Sequence, residues 1–386
     1  MRFEEVIGQQ EVKERLIETV RSGRISHAQL FFGPEGSGAL SMALAYTQFI
    51  NCSSPVNSKD SGLPADSCGT CPSCIKYQKL VHPDLHFIFP VASTPQVPKS
   101  PVSKNFYEKW REFIGSTKGY GNLIDWYSLI GIDRKQGLIN AEDCSEILRT
   151  LSYKSYGGGY KVMIIWMVEK LFHAAAPKIL KVLEEPPDQT LFILVTENPD
   201  QIINTIRSRT QLIKLQAIAD PDIRRSLEPI DGIAGSRITD IVRISQGNYR
   251  EALRLARLEN PDKELFDRFK LWMRLCFQSK MPEILDMVRE MSSEGRESQK
   301  QFLQYALRII RESLLLSIRG EALSRLTREE LDFARNFSPF VNQANAGEFT
   351  TVLEDAVQHI ERNANPGILF TFLSLRFAAF LRVKSA

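Results

Sequence analysis

The sequence has little net charge and no long hydrophobic run. Its 49 Lys and Arg residues against 46 Asp and Glu leave a net charge of +3 over 386 residues, which gives no support for a strongly basic nucleic-acid binder. The most apolar stretch, residues 367–381, is too short to span a bilayer and contains Arg376. Residues 1–10 are charged and lack the apolar core of a signal peptide. We therefore expect a cytoplasmic protein with reduced thiols and no membrane partner.

A glycine-rich loop lacks two side chains that its spacing calls for. The stretch GPEGSGALSMA follows the apolar run AQLFF and precedes a helical pattern, which is the context of a phosphate-binding loop. Gly33, Gly36 and Gly38 could still offer backbone N–H groups to a phosphate. Ala39 and Leu40, however, stand where the pattern requires a lysine and a hydroxyl. Nucleotide binding by this loop is thus left open by the sequence.

A third group is missing from the same would-be site. A P-loop NTPase holds Mg²⁺ with an acidic residue at the end of a buried strand. The candidate strand VMIIWMV ends with Trp166 and Met167, which cannot bind Mg²⁺, and Glu169 lies beyond its end. Because the lysine, the hydroxyl and the carboxylate are absent together, we expect no ATP hydrolysis by this chain.

Three of the six cysteines fall within seven residues, in the motif CGTCPSC. This motif and one earlier cysteine offer four thiolates to a tetrahedral structural zinc ion, namely Cys52, Cys68, Cys71 and Cys74. His82 or His86 is the alternative to Cys52 as the fourth ligand. Gln78 stands where a ferredoxin-type run would need a cysteine, which disfavours an iron–sulfur site.

Strand-like and helical patterns alternate through residues 1–216, which predicts an α/β domain with a mostly parallel sheet. VMIIWMV and TLFILVT are continuous apolar runs, typical of strands that are buried on both faces. From about residue 217 onward only helical patterns occur. We expect two helical units there, 217–262 and 263–386. An insertion of unassigned role occupies about 91–135.

Arginines that could have a function occur in two stretches, one just before the last predicted strand and one after it. In TIRSRTQ, Arg207 and Arg209 are either charges on a solvated turn or a source of an arginine supplied in trans to a neighbouring subunit's nucleotide. Such a finger can raise rates by ~10³ to 10⁵. In SQGNYREAL, Gly247 ends one helical pattern and Arg250 opens the next, which by itself is an ordinary helix boundary.

The stretch ILKVLEEPPDQTLFILVTENPDQIINTIRSRTQ resembles the clamp-loader subunits of the AAA+ family, which read L-L-K-x-L-E-E-P-P, then a strand, then S-R-C. VIGQQEVKERL, GRISHAQLFFGPEGSG and VHPDLHFI are also similar, so the resemblance covers residues 1 to about 258. It implies an AAA+ P-loop-type α/β domain over 1–216, a helical lid over 217–262 and an all-α collar over 263–386. It also implies that the module 52–74 binds structural zinc and that Arg250 is the second sensor arginine.

Within this family the chain is similar to the delta-prime type of the bacterial DNA polymerase III clamp loader, which has a degraded P-loop but keeps the S-R-C arginine. The resemblance implies that Arg209 completes the ATP site of an adjacent gamma/tau-type subunit, and Thr210 in place of the cysteine leaves that arginine intact. The implied partners are the gamma/tau and delta subunits and, through the complex, the sliding clamp and primer–template DNA. A divergent gamma/tau-type ATPase and a zinc-containing nucleic-acid-binding module are the alternatives.

Overall fold

The chain forms two units, which are described separately. One comprises residues 1–132, 136–238 and 245–253, and the other comprises 133–135, 239–244 and 254–386. The computed structural model describes residues 1–383 except 59–61, 134, 152–154, 157, 173–174, 231–232, 234, 258–262, 320–325 and 343. The predicted boundary at residue 262 therefore lies outside the described residues, and the division into three domains stays a prediction.

A parallel sheet lies at the centre of the first unit. In chain order its strands are β1 (Ala28–Phe32), β4 (Leu85–Ile88), β5 (Lys161–Trp166), β6 (Thr190–Thr196) and β7 (Gln211–Lys214), while β2 (Val56–Asn57) and β3 (Pro64–Asp66) form a separate antiparallel pair. The order across the sheet is β4-β5-β6-β1-β7, and every neighbouring pair is parallel. All residues of β5 and β6 are buried, as their continuous apolar runs predict.

Helices connect the strands of this unit and continue after the last strand. They are α1 (Gln10–Arg21), α2 (Ala39–Ile50), α3 (Pro72–Gln78), α4 (Tyr107–Thr117), α5 (Leu123–Ile130), α6 (Ala141–Leu151), α7 (Ala176–Glu184), α8 (Asn204–Arg207) and α9 (Asp220–Leu227). Two further helices, α10 (Gly235–Ser245) and α11 (Tyr249–Arg257), each have residues in both units. The expected alternation of strands and helices is confirmed.

The insertion at about 91–135 packs its aromatic side chains into the core of the first unit. Trp110 of α4 stacks on Phe89 with ring centroids 4.2 Å apart and lies 5.3 Å from Trp166 at the end of β5. Phe113 is 5.4 Å from Trp166, and Trp126 of α5 is 5.3 Å from Trp110. Aromatic contacts of this kind contribute beyond the burial of their area. The insertion is therefore part of the folded α/β body.

The second unit is helical over the part that the structure describes. Its main helices are α12 (Lys263–Gln278), α13 (Met281–Ser292), α14 (Arg296–Arg319), α15 (Arg328–Phe337), α16 (Ala346–Glu361) and α17 (Pro366–Phe380). Trp272 is buried in its core and donates a 2.8 Å hydrogen bond to Ser374. Among the described residues, no helix combines the length and apolar character needed to cross a bilayer. The expected fold class, a parallel α/β domain followed by helices, is confirmed.

Candidate functional site

The glycine loop follows β1 and leads into α2, as the phosphate-loop pattern requires. Gly36 and Gly38 have positive φ angles of 73° and 87°, which glycine adopts without strain. A Cβ placed on Gly38 would lie 2.8 Å from the ring of Tyr120, and one on Gly36 would lie 1.9 Å from Asn248 Oδ1. A Cβ on Gly33 would be 2.9 Å from the carbonyl oxygen of Leu215. Protein atoms thus lie directly against the loop.

Tyr120 comes from the insertion and is held on more than one side. Its side chain is buried, and its hydroxyl accepts a 2.9 Å hydrogen bond from the backbone N–H of Ile7. Its ring meets the ring of Tyr249 edge to face at 4.8 Å. Just before it, the carbonyl of Lys118 accepts a 2.6 Å hydrogen bond from the hydroxyl of Ser41 in α2. Burial raises the pKa of Tyr120, so the phenol stays neutral.

Arg250 is bound by two carboxylates at this loop. Its guanidinium donates hydrogen bonds of 2.6 and 2.7 Å to the two oxygens of Asp125 and one of 3.5 Å to Glu35. Glu35 also accepts from Asn122 at 3.0 Å and from Asn248 at 3.1 Å. Burial acts to lower the pKa of Arg250, but the hydrogen bonds and charge of Asp125, together with the charge of Glu35, raise it above its ordinary value. Arg250 is therefore always charged and is already paired.

The end of β5 holds no group suited to Mg²⁺. Trp166 and Met167 are both buried, and Trp166 packs against the insertion. Glu169 lies just beyond, and its Oε1 accepts a long hydrogen bond of 3.5 Å from the N–H of Glu197. Burial raises the pKa of Glu169, which favours the protonated form. The side chains of Trp166 and Met167 offer no oxygen ligand to a metal ion.

Arg209 lies in an open environment. Its side chain is 36% exposed and forms a 2.5 Å ion pair with Glu184 at the end of α7. It also donates a 3.0 Å hydrogen bond to the carbonyl of Thr205. Arg207 is likewise exposed and pairs with Asp200 at 3.3 Å. Exposed pairs of this kind contribute little to stability, so neither arginine is fixed in place by its partner.

The direction of the strands separates Arg209 from the glycine loop. β7 runs parallel to β1, with Gln211 opposite Gln29 and Lys214 opposite Phe32. Arg209 stands two residues before β7 and lies at the amino edge of the sheet, whereas the glycine loop follows β1 at the carboxyl edge. A strand of five residues is about 16 Å long. Arg209 therefore cannot reach the loop of its own chain.

The four predicted metal ligands come together. The sulfur atoms of Cys52, Cys68, Cys71 and Cys74 all lie within 4.8 Å of one another. The sulfur of Cys68 is 3.6 Å from that of Cys52 and 3.9 Å from that of Cys74. Zinc–sulfur bonds of about 2.3 Å in a tetrahedron place the sulfurs about 3.8 Å apart. The set therefore fits a tetrahedral metal ion, with Cys52 as the fourth ligand.

Neither histidine alternative belongs to this cluster of four sulfurs. His82 packs its ring against Tyr77 at 4.5 Å, and His86 lies within β4. Burial disfavours ionisation of Cys71, but hydrogen bonds from Ser53 and from the backbone N–H of Cys74 outweigh it and lower the pKa of Cys71 to about 6. A thiolate is thus available in the cluster at neutral pH, and thiolates are the form that binds metals.

The sequence family described as "DNA polymerase III, delta subunit" matches residues 8–219, more than half of the chain. The chain belongs to that family. It is 27% identical to the DNA polymerase III subunit gamma/tau of Mycobacterium tuberculosis (strain ATCC 25618 / H37Rv), over 65% of this chain and 36% of the relative. It is also 27% identical to the DNA polymerase III subunit tau of Escherichia coli (strain K12), over 66% of this chain and 32% of the relative.

These alignments span about a third of the length of the curated relatives. Among solved structures, a DNA polymerase III gamma subunit-related protein from Thermotoga maritima matches 96% of this chain and 99% of its own, at 12% identity and a TM-score of 0.36. The DNA clamp loader delta protein of Bacillus subtilis matches 95% and 99% at 9% identity and a TM-score of 0.31. TM-scores this low carry no argument, so membership rests on the sequence family.

The sequence interpretation missed most of the residues that cover the glycine loop. Tyr120, Asn122 and Asp125 lie in the insertion, far from the loop along the chain, and no periodic pattern connects them to it. Glu35 could have been noticed, because a carboxylate inside a phosphate-binding loop opposes the charge that such a loop serves. Asn248 lies within the stretch SQGNYREAL, but no pattern in the sequence marks it as a contact of the loop.

Proposed function

We propose that this member of the DNA polymerase III delta-subunit family is a delta-prime-type clamp-loader subunit, which hydrolyses no ATP itself and supplies Arg209 to the ATP site of a neighbouring gamma/tau-type subunit. Its own glycine loop lacks the lysine and hydroxyl, and the end of β5 lacks the carboxylate. In the complex it would act as a stator for the loading of the sliding clamp onto primer–template DNA, together with the gamma/tau and delta subunits.

The placement of Arg209 is the observation that carries this proposal. The side chain is exposed, its carboxylate partner among the described residues is Glu184 on the same surface, and the strand direction keeps it away from the loop at the other edge. An exposed ion pair can exchange for a phosphate at small cost, because its net stabilisation is only ~0–1 kcal/mol. Arginine is suited to the task because its planar guanidinium binds phosphate in a bidentate manner.

The test is the ATPase rate of the assembled loader, reconstituted with gamma/tau and delta subunits, with Arg209→Ala in this chain. We expect turnover at the site that Arg209 completes to fall by ~10³-fold, while assembly is unchanged. Arg207→Ala is the matched control, since Arg207 lies two residues away, is exposed and has one carboxylate partner. An unchanged rate with Arg209→Ala, or an equal loss with Arg207→Ala, would contradict the assignment.

A divergent gamma/tau-type ATPase is the second candidate, and the 27% identity to gamma/tau subunits favours it. Against it stand Ala39, Leu40 and the aromatic end of β5. ATP turnover by the purified chain that is abolished by Glu169→Gln would support this candidate. No turnover above background supports the delta-prime type.

We also propose that the four-cysteine cluster holds a structural zinc ion, which would link the end of α2 to the module that contains α3. Metal analysis of the purified chain should find about one zinc per molecule. Cys71→Ser should lower both the zinc content and the thermal midpoint, because structural zinc contributes directly to folding. Cys276→Ala is the control, since Cys276 is buried in the other unit. Iron in place of zinc, or no metal, would contradict the proposal.

A further inference from the structure

One segment of the insertion lies where a phosphate would approach the glycine loop. Residues 118–125 run from the end of α4 into α5, and we call them the covering segment. Its first residue accepts a 2.6 Å hydrogen bond from Ser41 in the first turn of α2, and Tyr120 lies against Gly38. In a working phosphate loop, backbone N–H groups at this point cradle the phosphates. The covering segment thus contacts the part of the loop that a nucleotide would need.

Two charged side chains at the loop, those of Arg250 and Glu35, are already hydrogen-bonded by this segment. Asp125 takes both strong hydrogen bonds of Arg250, in the bidentate form that arginine makes with carboxylates and phosphates alike. Asn122 donates to Glu35, and its own side chain accepts from the backbone N–H of Asp125, which begins α5 with a defined cap. At Arg250, the carboxylate of Asp125 thus forms the bidentate contact that a bound anion could form.

The charges at the loop also oppose a second anion. Arg250 contributes one positive charge, whereas Asp125 and Glu35 contribute two negative charges within hydrogen-bond distance of it. A phosphate group would have to displace Asp125 from Arg250 and approach Glu35 closely. Like charges at such separations disfavour binding strongly in a partly buried setting.

We propose that residues 118–125 are an internal ligand of the degenerate phosphate loop, in which Tyr120 fills the place against Gly38 and Asp125 takes the place of a phosphate at Arg250. The chain then needs no nucleotide to complete this part of its fold, and it excludes one. This inference does not depend on the role of Arg209, which lies at the other edge of the sheet.

The experiment restores the missing lysine with and without the covering side chains. Ala39→Lys is made alone and together with Tyr120→Ala and Asp125→Ala, and binding of Mg·ADP is measured by calorimetry. Ala39 is only partly buried, so the lysine has room. We expect no saturable binding up to ~1 mM with Ala39→Lys alone, and binding at least about tenfold tighter in the triple variant. The control variant carries Ala39→Lys with Tyr120→Phe, which keeps the ring against Gly38 and leaves Asp125 bound to Arg250, and it should resemble Ala39→Lys alone.

Two results would overturn the proposal. One is Mg·ADP binding by Ala39→Lys alone that equals binding by the opened triple variant. The other is a folded triple variant, verified by circular dichroism, that binds no more tightly than Ala39→Lys. If the triple variant does not fold, hydrogen exchange of the unaltered chain decides. We expect Mg·ATP to leave exchange over residues 33–41 and 118–125 unchanged, and new protection there would refute the internal ligand.

Discussion

Two arginines of the α/β unit lie at opposite edges of one sheet, and they differ in exposure and in their carboxylate partners. Arg250 is 16% exposed and is bound by the carboxylates of Asp125 and Glu35. Arg209 is 36% exposed, and its carboxylate partner in the part of the chain that the structure describes, Glu184, is itself half exposed. The guanidinium of Arg250 is thus part of the packed structure at the carboxyl edge, whereas that of Arg209 is available to an outside anion at the amino edge. The number of partners and their burial make this difference, since the residue type is the same.

Replacing each arginine in turn should give the largest difference in the free energy of unfolding. We expect Arg250→Ala to lower the free energy of unfolding by about 2–3 kcal/mol, because it removes the guanidinium that pairs with two partly buried carboxylates. Arg209→Ala serves as the matched variant and should cost below ~1 kcal/mol. Urea denaturation followed by circular dichroism measures both. Equal losses would remove the distinction between a packed and an available arginine.

Asp143 differs from the carboxylates beside Arg250, because it is buried and has no arginine among its described partners. It accepts a 2.7 Å hydrogen bond from the N–H of Ser103 in the insertion, and burial raises its pKa from 3.8 to about 6. Protonation is thus favoured by folding, so the stability linked to this group is full below pH 3.8 and is lost as pH rises to about 6.

Asp143→Asn should remove this pH dependence. We expect the variant to exceed the unaltered chain in unfolding free energy by ~1–2 kcal/mol at pH 7 and to match it near pH 4. Urea denaturation at the two pH values measures the difference. A variant less stable than the unaltered chain at pH 7 would show that the charged form of Asp143 is the stabilising one.

Glu184→Gln should have the smallest effect. The variant loses the charge that pairs with Arg209, but an exposed ion pair contributes under ~1 kcal/mol to stability. Salt at ~1 M should abolish the difference in stability from the unaltered chain. Thermal denaturation at low and high salt measures it. A loss as large as that from Arg250→Ala would mean that Arg209 is a structural residue.

Local patterns in the sequence were sufficient for the strands and the cysteine cluster. The runs that became β5 and β6 are apolar without interruption, and only a central strand buries every residue in this way. The short spacing in CGTCPSC restricts three ligands to one small volume, so the cluster followed from the sequence, with Cys52 rather than a histidine as its fourth member.

The covering of the glycine loop could not be predicted in the same way. The bonds from Asp125 to Arg250 and from Asn122 to Glu35 join residues 125 and 87 positions apart. Such pairs depend on how the insertion packs. In that packing the ring of Trp110 lies beside the rings of Trp126 and Trp166. Neither composition nor periodicity records contacts between separate segments.

The burial of α2 has a consequence for how the two ends of this helix affect the folded core. This helix is almost wholly buried, begins at the loop covered by Tyr120 and ends two residues before Cys52 of the sulfur cluster. Both of its ends are therefore braced by atoms of the chain itself. Because α2 is buried along its length among side chains of the sheet, displacing either end would disturb the core that the two ends share.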